Sequence, residues 1–224
     1  MNYATLTNRL GISIEESLLE LALTHSSYAY ENGKIPNNER LEFLGDSVLG
    51  FVVTGFIFNQ NLEMDEGSLS RLRNATVSAK TLAVAANQIG LGEFVRLGKG
   101  ELVSGGKEKS NILADTLEAI IGAAYLSGGL SVATELIEKL ILPLINSEDE
   151  LLETSEPRTV LSELLKSQNK LEAIFEVTHE GPDHDRNFFA SVIVSGDVIA
   201  KGEGRSRKAA EATAAIAALK VLRG

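Results

Sequence analysis

Residues 38–47 have the sequence NERLEFLGDS, in which three carboxylates fall within one apolar pattern. Glu39, Glu42 and Asp46 are spaced i, i+3 and i+7, so an α-helix places all three on one face. Buried carboxylates need a counter-charge, and a divalent cation would supply it. The apolar residues around the acids predict a helix that otherwise belongs to the core, namely Leu41, Phe43, Leu44, Val48, Leu49, Phe51 and Val52.

A second acidic pair, Asp115 and Glu118, directly precedes another apolar run. Two to four carboxylates from two facing helices would suit Mg²⁺ or Mn²⁺, which prefer oxygen ligands. The chain has no cysteine and only three histidines, which excludes a thiolate zinc site and disfavours a histidine-rich one. A metal here would activate water and stabilise charge on a phosphate, which is the chemistry of phosphodiester hydrolysis. Spacing alone leaves a solvated acidic helix face as the alternative.

Charge is divided unevenly along the 224 residues, whose formal net charge is −10. Residues 1–156 carry 11 Lys and Arg against 22 Asp and Glu, whereas residues 157–224 carry 10 against 9. A polyanionic partner must therefore be held by local basic patches or bound cations, because the global field is repulsive.

The composition also indicates the cellular compartment in which the protein is found. Absence of cysteine fits a reducing cytosol. No secretory signal is visible at the start, and the apolar run 48–58 is shorter than the roughly 20 residues that cross a bilayer. We therefore expect a cytoplasmic protein without a membrane partner.

The pattern along the chain predicts a multidomain protein. Residues 1–146 are expected to be all-α, with helices near 15–23, 38–60, 67–88, 110–127 and 131–144 and a glycine-rich loop over 98–106. Residues 147–156 are acidic and predict a flexible linker. From residue 157 the predicted order is α-β-β-β-α, an α+β domain with strands over 174–179, 188–194 and 198–203 and an alanine-rich helix from Ser206 to about Leu222.

The stretch NERLEFLGDS resembles the signature motif of ribonuclease III. Three further stretches resemble family segments in the same order: LTHSSY at 23–28, DEG followed by LSRLR at 65–73, and ILADTLEA at 112–119. Residues 157–224 resemble the double-stranded-RNA-binding domain of the family. The resemblance covers nearly the whole chain, so it implies a catalytic domain over 1–146 and an RNA-binding domain over 157–224.

This resemblance implies an endoribonuclease that hydrolyses double-stranded RNA with Mg²⁺, for which Mn²⁺ can substitute. Glu42, Asp46, Asp115 and Glu118 would hold the metal, and Asp46 and Glu118 occupy the positions most needed for cleavage. Glu39 and Glu66 match acids that assist the site. The family forms a homodimer through the catalytic domain, leaves 5′-phosphate and 3′-hydroxyl ends with short 3′ overhangs, and processes ribosomal RNA precursors and other structured transcripts, including messenger RNA.

Candidate RNA contacts lie in three places in the second domain. Arg205, Ser206, Arg207 and Lys208 surround the start of the last helix, where cations and a helix N-terminus can meet a phosphate. By resemblance, His184 lies in a loop that enters the minor groove. Ser162 and Glu163 lie in the first helix of the domain, where Ser162 replaces the glutamine that is common in the family.

Two alternative functions remain open at this point. The chain could be a non-catalytic double-stranded-RNA-binding dimer, although the complete acid set favours an enzyme. It could also be a helical hydrolase of small phosphorylated substrates, although the basic C-terminal part favours RNA.

Overall fold

A computed structural model of the protein describes residues 3–147, 156–182 and 186–223. The chain divides into two compact units, residues 1–147 and 148–224. Most of the predicted linker, residues 148–155, lies outside the described residues, as does the RNA-contact candidate His184.

The first unit is helical throughout, with three short 3₁₀ turns over 91–93, 106–108 and 142–147. Its helices are α1 (Ala4–Leu10), α2 (Glu16–Ala22), α3 (Ser26–Glu31), α4 (Glu39–Gln60), α5 (Glu66–Thr76), α6 (Ala79–Gln88), α7 (Lys99–Val103) and α8 (Ser110–Leu140). Helices α4 and α8 make the most extensive contact of this unit, and α2, α5 and α6 each pack against one of the two. The two helices that carry the acidic motifs therefore form the centre of this unit.

Three element predictions differ from the structure. The helix predicted over 67–88 is two helices, because Ser78 has extended backbone and its hydroxyl oxygen accepts a hydrogen bond from the Thr81 N–H, which starts α6. The predicted glycine-rich loop contains the short helix α7. The two helices predicted after residue 110 are assigned as one, α8, which is broken at Gly129 by non-helical backbone angles of φ 74° and ψ −170°.

The prediction that Phe43 and Phe51 belong to the core is wrong. Their side chains are 79% and 68% exposed, and Phe58 on the same helix is 63% exposed. Leu49, Val53 and other residues on the opposite side of α4 fill the core instead. Helix α4 thus has two apolar faces, only one of which is covered within the described residues.

Helices α4 and α8 are long and apolar enough to cross a membrane by length and composition alone. Core helices of soluble proteins pass the same test, and α4 is longer than the apolar run 48–58 on which the sequence prediction was based. Each helix also carries two of the predicted metal-binding acids, and the two helices pack against each other within the helical unit. Length and composition are therefore weak evidence for a membrane span here.

The second unit has the predicted α-β-β-β-α order. It comprises α9 (Pro157–Ser167), β1 (Ile174–Glu180), β2 (Asn187–Val194), β3 (Asp197–Gly204) and α10 (Arg207–Arg223). The strands form one antiparallel sheet in the order β1-β2-β3. Both helices contribute to a single core with β2, and the alanines of α10 that face this core are fully buried, namely Ala210, Ala214, Ala215 and Ala218. Their small side chains let α10 lie close to the sheet: a Cβ atom on Gly202 of β3 would lie 2.2 Å from the Ala214 nitrogen.

Candidate active site

The crossing of α4 and α8 brings three of the predicted metal ligands together. Carboxylate oxygens of Glu42, Asp115 and Glu118 lie within 4.8 Å of one another, and all three residues are half-buried. Asp46, one turn further along α4 from Glu42, is exposed and is not a member of this group. It is nevertheless close enough to affect the electrostatics of both Glu42 and Glu118.

Two glycines make this crossing close. A Cβ atom on Gly45 would lie 1.8 Å from the carbonyl oxygen of Glu118, and one on Gly122 would lie 2.3 Å from the carbonyl oxygen of Leu41. The sequence alone did not predict a role for Gly45 or Gly122. The available signal was a glycine inside an apolar helix within one turn of an acid, which often marks a close backbone approach.

The pKa values of all three acids in the cluster are raised. The pKa of Glu118 is raised to about 8, chiefly by burial, with repulsion from Asp46, Asp115 and Glu42 contributing to the shift. Burial also raises the pKa of Glu42, and Asp115, Glu39 and Asp46 add to this effect. The pKa of Asp115 is raised by burial as well, although His25 opposes the shift. The folded protein thus holds these acids in an environment that disfavours their negative charge.

No lysine or arginine in the described part of the chain forms an ion pair with the cluster, and among its three acids His25 affects only the pKa of Asp115. None of Glu42, Asp46, Asp115 and Glu118 has a described lysine or arginine within the 4.0 Å of an ion pair. Partly buried carboxylates without a counter-charge are costly. Their oxygens are the ligands that hard divalent cations prefer, so this donor set fits Mg²⁺ or Mn²⁺.

The two remaining acidic candidates lie at helix starts. Glu39 is the first residue of α4, is exposed, and adds to the raised pKa of Glu42. Glu66 is the first residue of α5 and accepts a hydrogen bond of 3.0 Å from the Ser70 hydroxyl. It follows Asp65, which caps α5 by accepting a 2.7 Å hydrogen bond from the Ser68 N–H. Neither Glu39 nor Glu66 joins the three-carboxylate group.

An open groove runs along the exposed side of α4, beginning at Asp46. It has a volume of about 730 Å³, and its lining includes Asp46, Phe51, Phe58, Arg73 and Asn74. A neighbouring cavity of about 260 Å³ includes Glu66 and shares Phe58 and Arg73 with the groove. The exposed carboxylate of Asp46 thus lies on the same surface as the uncovered apolar face of α4.

In the second unit, the predicted basic cluster is exposed at the start of α10. Ser206 directly precedes this helix, and its hydroxyl oxygen accepts a hydrogen bond of 3.1 Å from the Ala209 N–H. This bond is a helix cap, so Ser206 has a structural role besides any contact with RNA. Arg205, Arg207 and Lys208 are exposed around it.

The first helix of this unit also contains the other two candidates. Glu163 is exposed, and Ser162 is half-buried on α9. Ser162 lines a cavity of about 520 Å³ together with Arg158, Thr159, Glu172 and Phe175. The structure therefore places Ser162 and Glu163 on a different element from the basic cluster.

Sequence reasoning missed two charged residues of this unit, Arg158 and Glu211. The Arg158 Nη1 donates a 2.7 Å hydrogen bond to Glu211, and the Arg207 Nε donates one of 3.0 Å to the same carboxylate. The only available signal was the i, i+4 spacing of Arg207 and Glu211 on a predicted helix.

Each of the two units matches a known protein family. Residues 15–145 match the family model described as Ribonuclease-III-like, and residues 157–222 match the Double-stranded RNA binding motif. The chain belongs to the ribonuclease III family. This membership confirms the resemblance drawn from residues 38–47 and the predicted fold class of an all-α domain followed by an α+β domain.

Similar proteins cover almost the whole chain. Ribonuclease 3 of Leifsonia xyli subsp. xyli is 51% identical over 96% of this chain and 91% of its own length, and Ribonuclease 3 of Thermobifida fusca is 48% identical over 96% and 89%. A solved nuclease domain of ribonuclease III from Campylobacter jejuni, described for flexibility in a region involved in dimer formation, has a TM-score of 0.59 and 44% identity over 62% of this chain and 96% of that one.

These relationships establish the general function. The chain is an endoribonuclease of the ribonuclease III family with a double-stranded-RNA-binding domain, and it acts on double-stranded RNA. The family is metal-dependent, and the acidic cluster at the crossing of α4 and α8 is a group that could hold a metal ion.

Proposed function

We propose that this enzyme cleaves double-stranded RNA with Mg²⁺ held by Glu42, Asp46, Asp115 and Glu118. The observation that carries the proposal is the group of three carboxylates whose oxygens lie within 4.8 Å of one another and which form no ion pair with a described lysine or arginine. Mn²⁺ should substitute, because it also accepts oxygen ligands. The bound cation would lower the pKa of a water molecule and stabilise charge on the scissile phosphate.

The acids of the site differ in what they can do. Burial favours a proton on Glu118 at neutral pH in the metal-free protein, so this carboxylate must lose that proton to act as a ligand. Asp46 is exposed, so an RNA strand can reach its carboxylate. We assign Asp46 and Glu118 the roles most needed for cleavage, and Glu39 and Glu66 the role of assisting the site and orienting RNA.

We further propose that the enzyme is a homodimer through its catalytic domain. The exposed face of α4 supports this, because Phe43, Phe51 and Phe58 form an apolar surface of the kind that marks protein interfaces. The Campylobacter jejuni nuclease domain is described as having a region involved in dimer formation. In such a dimer each subunit cuts one strand, leaving 5′-phosphate and 3′-hydroxyl ends with short 3′ overhangs.

The proposed domains are a catalytic domain over 1–146, an acidic linker over 147–156 and an RNA-binding domain over 157–224. Within the last of these, the residues proposed to contact RNA are His184, Arg205, Ser206, Arg207 and Lys208, with Ser162 and Glu163 on α9. Cations near a helix start suit the phosphate and 2′-hydroxyl contacts by which duplex RNA is recognised. On family membership, we propose that the substrates are ribosomal RNA precursors and structured messenger RNAs in the cytoplasm.

Cleavage of a long duplex RNA tests this function. Short duplexes should form with Mg²⁺ or Mn²⁺ and should not form with EDTA. Asp46→Ala and Glu118→Ala should each abolish cutting while the RNA still binds, because the RNA-binding domain is a separate unit. Glu138→Ala removes an exposed acid of the same helix α8 and should cleave normally.

Two outcomes would contradict the proposal. Unchanged cleavage by Asp46→Ala or Glu118→Ala would overturn the metal-ligand assignment. Tight RNA binding with no cleavage under any divalent cation would favour the alternative, a non-catalytic double-stranded-RNA-binding dimer.

A further inference from the structure

A buried carboxylate lies within the RNA-binding unit. Only 8% of the Glu211 side chain is exposed, and its position on α10 adjoins the fully buried alanines of the core. A charge in such surroundings is destabilising unless it is paired and hydrogen-bonded. We therefore expect Glu211 to have a specific role on the core-facing side of α10.

Two guanidinium groups satisfy this carboxylate. Its Oε2 accepts a hydrogen bond of 2.7 Å from Arg158 Nη1, and its Oε1 accepts one of 3.0 Å from Arg207 Nε. The Arg158 guanidinium also lies over the Phe175 ring, 4.7 Å from the centroid. One acid thereby connects the start of α9, the strand β1 and the start of α10.

Both arginines remain accessible despite these bonds. Their side chains are 57% and 69% exposed for Arg158 and Arg207, respectively. A guanidinium carries five N–H donors, and each bond to Glu211 uses one of them. The group of one carboxylate and two guanidiniums keeps a net charge of +1, with donors that can still meet an outside acceptor.

We propose that Glu211 is a positioning residue for duplex RNA: it fixes the guanidiniums of Arg158 and Arg207 as a pair that contacts backbone phosphate. The inference rests on the proposed RNA-binding role of the start of α10. It adds Arg158 to the residues proposed to contact RNA. Glu211 itself does not touch RNA, and its function is to position the two arginines. An arginine already held in place loses less side-chain freedom when it binds, which favours affinity.

The direction in which Glu211→Gln changes RNA affinity distinguishes a positioning role from a simple effect of net charge. Loss of any acid should strengthen binding to a polyanion if only net charge mattered. Glu176→Gln makes the same chemical change as Glu211→Gln, but at an exposed position on β1. Positioning predicts that Glu211→Gln weakens RNA binding, whereas Glu176→Gln leaves it unchanged or slightly tighter.

The measurement uses the full chain and a labelled duplex RNA in EDTA, which prevents cleavage. We expect Glu211→Gln to raise Kd about tenfold and to reduce the slope of log K against log salt by about one to two, since each lost phosphate contact lowers the slope by about one. Circular dichroism fixes a temperature at which every variant is folded. Binding by Glu211→Gln that matches Glu176→Gln would overturn the proposal.

A double-mutant cycle distinguishes positioning from stability. If Glu211 acts through the arginines, Glu211→Gln should have little further effect on Kd when Arg158→Gln and Arg207→Gln are already present. An equal effect in both backgrounds would overturn the proposal. Should Glu211→Gln not fold, Arg207→Lys provides the test, because it keeps the charge but loses the Nε bond. It should weaken binding several-fold, and wild-type affinity would contradict the inference.

Failure of this inference can be told apart from failure of the proposed function. Lys208→Ala probes the start of α10 without touching Glu211. If Lys208→Ala and Arg207→Gln both left Kd and its salt slope unchanged, the RNA-binding role of this helix start would be wrong. If they weakened binding while Glu211→Gln behaved as Glu176→Gln does, only the positioning role would be lost.

Discussion

Gly45 of α4 and Gly122 of α8 meet backbone to backbone: a Cβ atom on Gly122 would lie 3.2 Å from the Gly45 nitrogen. The separation of the two helices is therefore set by main-chain atoms at this point. Glu42 and Asp46 flank Gly45 on one helix, and Glu118 lies one turn before Gly122 on the other. This contact places the two acidic motifs within reach of a single cation.

Gly45→Ala should destabilise the protein by about 3 kcal/mol, because forcing atoms into a packed helix crossing costs roughly that much. The helices must also separate, so Mg²⁺-dependent cleavage should fall sharply even in the folded fraction. Thermal unfolding and cleavage assays measure the two effects. Gly100→Ala, on α7, is the matched control, since a Cβ atom there meets nothing within 4 Å. Equal behaviour of the two variants would mean that the close contact is unimportant.

Stability of the metal-free protein should depend on pH through Glu118. Its pKa is raised from the ordinary 4.5 to about 8, so the folded protein binds this proton more tightly than the unfolded chain. The resulting stabilisation is fully present below about pH 4.5 and is lost as pH rises to about 8. Glu118→Gln should flatten this part of the profile in unfolding experiments with EDTA. A wild-type profile in that variant would show that Glu118 does not titrate in this range.

Metal binding should release protons at neutral pH, because Glu118 must be deprotonated to act as a ligand. Calorimetric titration of Mg²⁺ in two buffers of different ionisation enthalpy gives the number of protons released. We expect close to one proton per site at pH 7, and fewer at pH 9. Equal heats in both buffers at pH 7 would contradict a protonated Glu118 in the metal-free state.

The exposed face of α4 should hold the dimer together. Phe51→Asp introduces a charge into this apolar face and should yield monomers in light scattering, with reduced cleavage of both strands. Val103→Asp is the control, because Val103 is 90% exposed on α7 and lies outside the face. A Phe51→Asp protein that remained dimeric would place the interface elsewhere.

Removal of residues 157–224 should weaken binding to duplex RNA at least about tenfold at physiological salt, where phosphate contacts decide affinity. The loss should be smaller at low salt. Filter binding in EDTA measures both conditions, and circular dichroism of the remaining helical unit is the control for folding. Unchanged affinity would mean that the second unit is not the RNA-binding part.

The sequence was sufficient for the element order of the second unit and for most of the acidic cluster. Period-2 and helical apolar patterns predict the α-β-β-β-α order, and two acidic motifs on apolar helices, together with the family resemblance, indicate that Glu42, Asp115 and Glu118 lie together. Local patterns of this kind depend on neighbouring residues, so a single sequence contains them.

What the sequence did not reveal depends on contacts between distant residues. Phe43 and Phe51 match a core pattern, yet they lie on a second apolar face of α4 that none of the described residues covers. The pairing of Arg158 with Glu211 joins residues that are 53 positions apart. Ser78 starts a separate helix through its cap, although the apolar pattern continues past it. Neither surface coverage nor long-range pairing can be read from spacing alone.

The break at Gly129 separates the acids of α8 from the second part of the helix. The acids lie in the part before the break, which packs against α4, and the residues at the break itself are exposed. Exposed breaks of this kind are where chains accept added residues most readily. Residues inserted at the break would therefore displace the second part of α8 first, while the carboxylates of Glu42, Asp115 and Glu118 keep their positions.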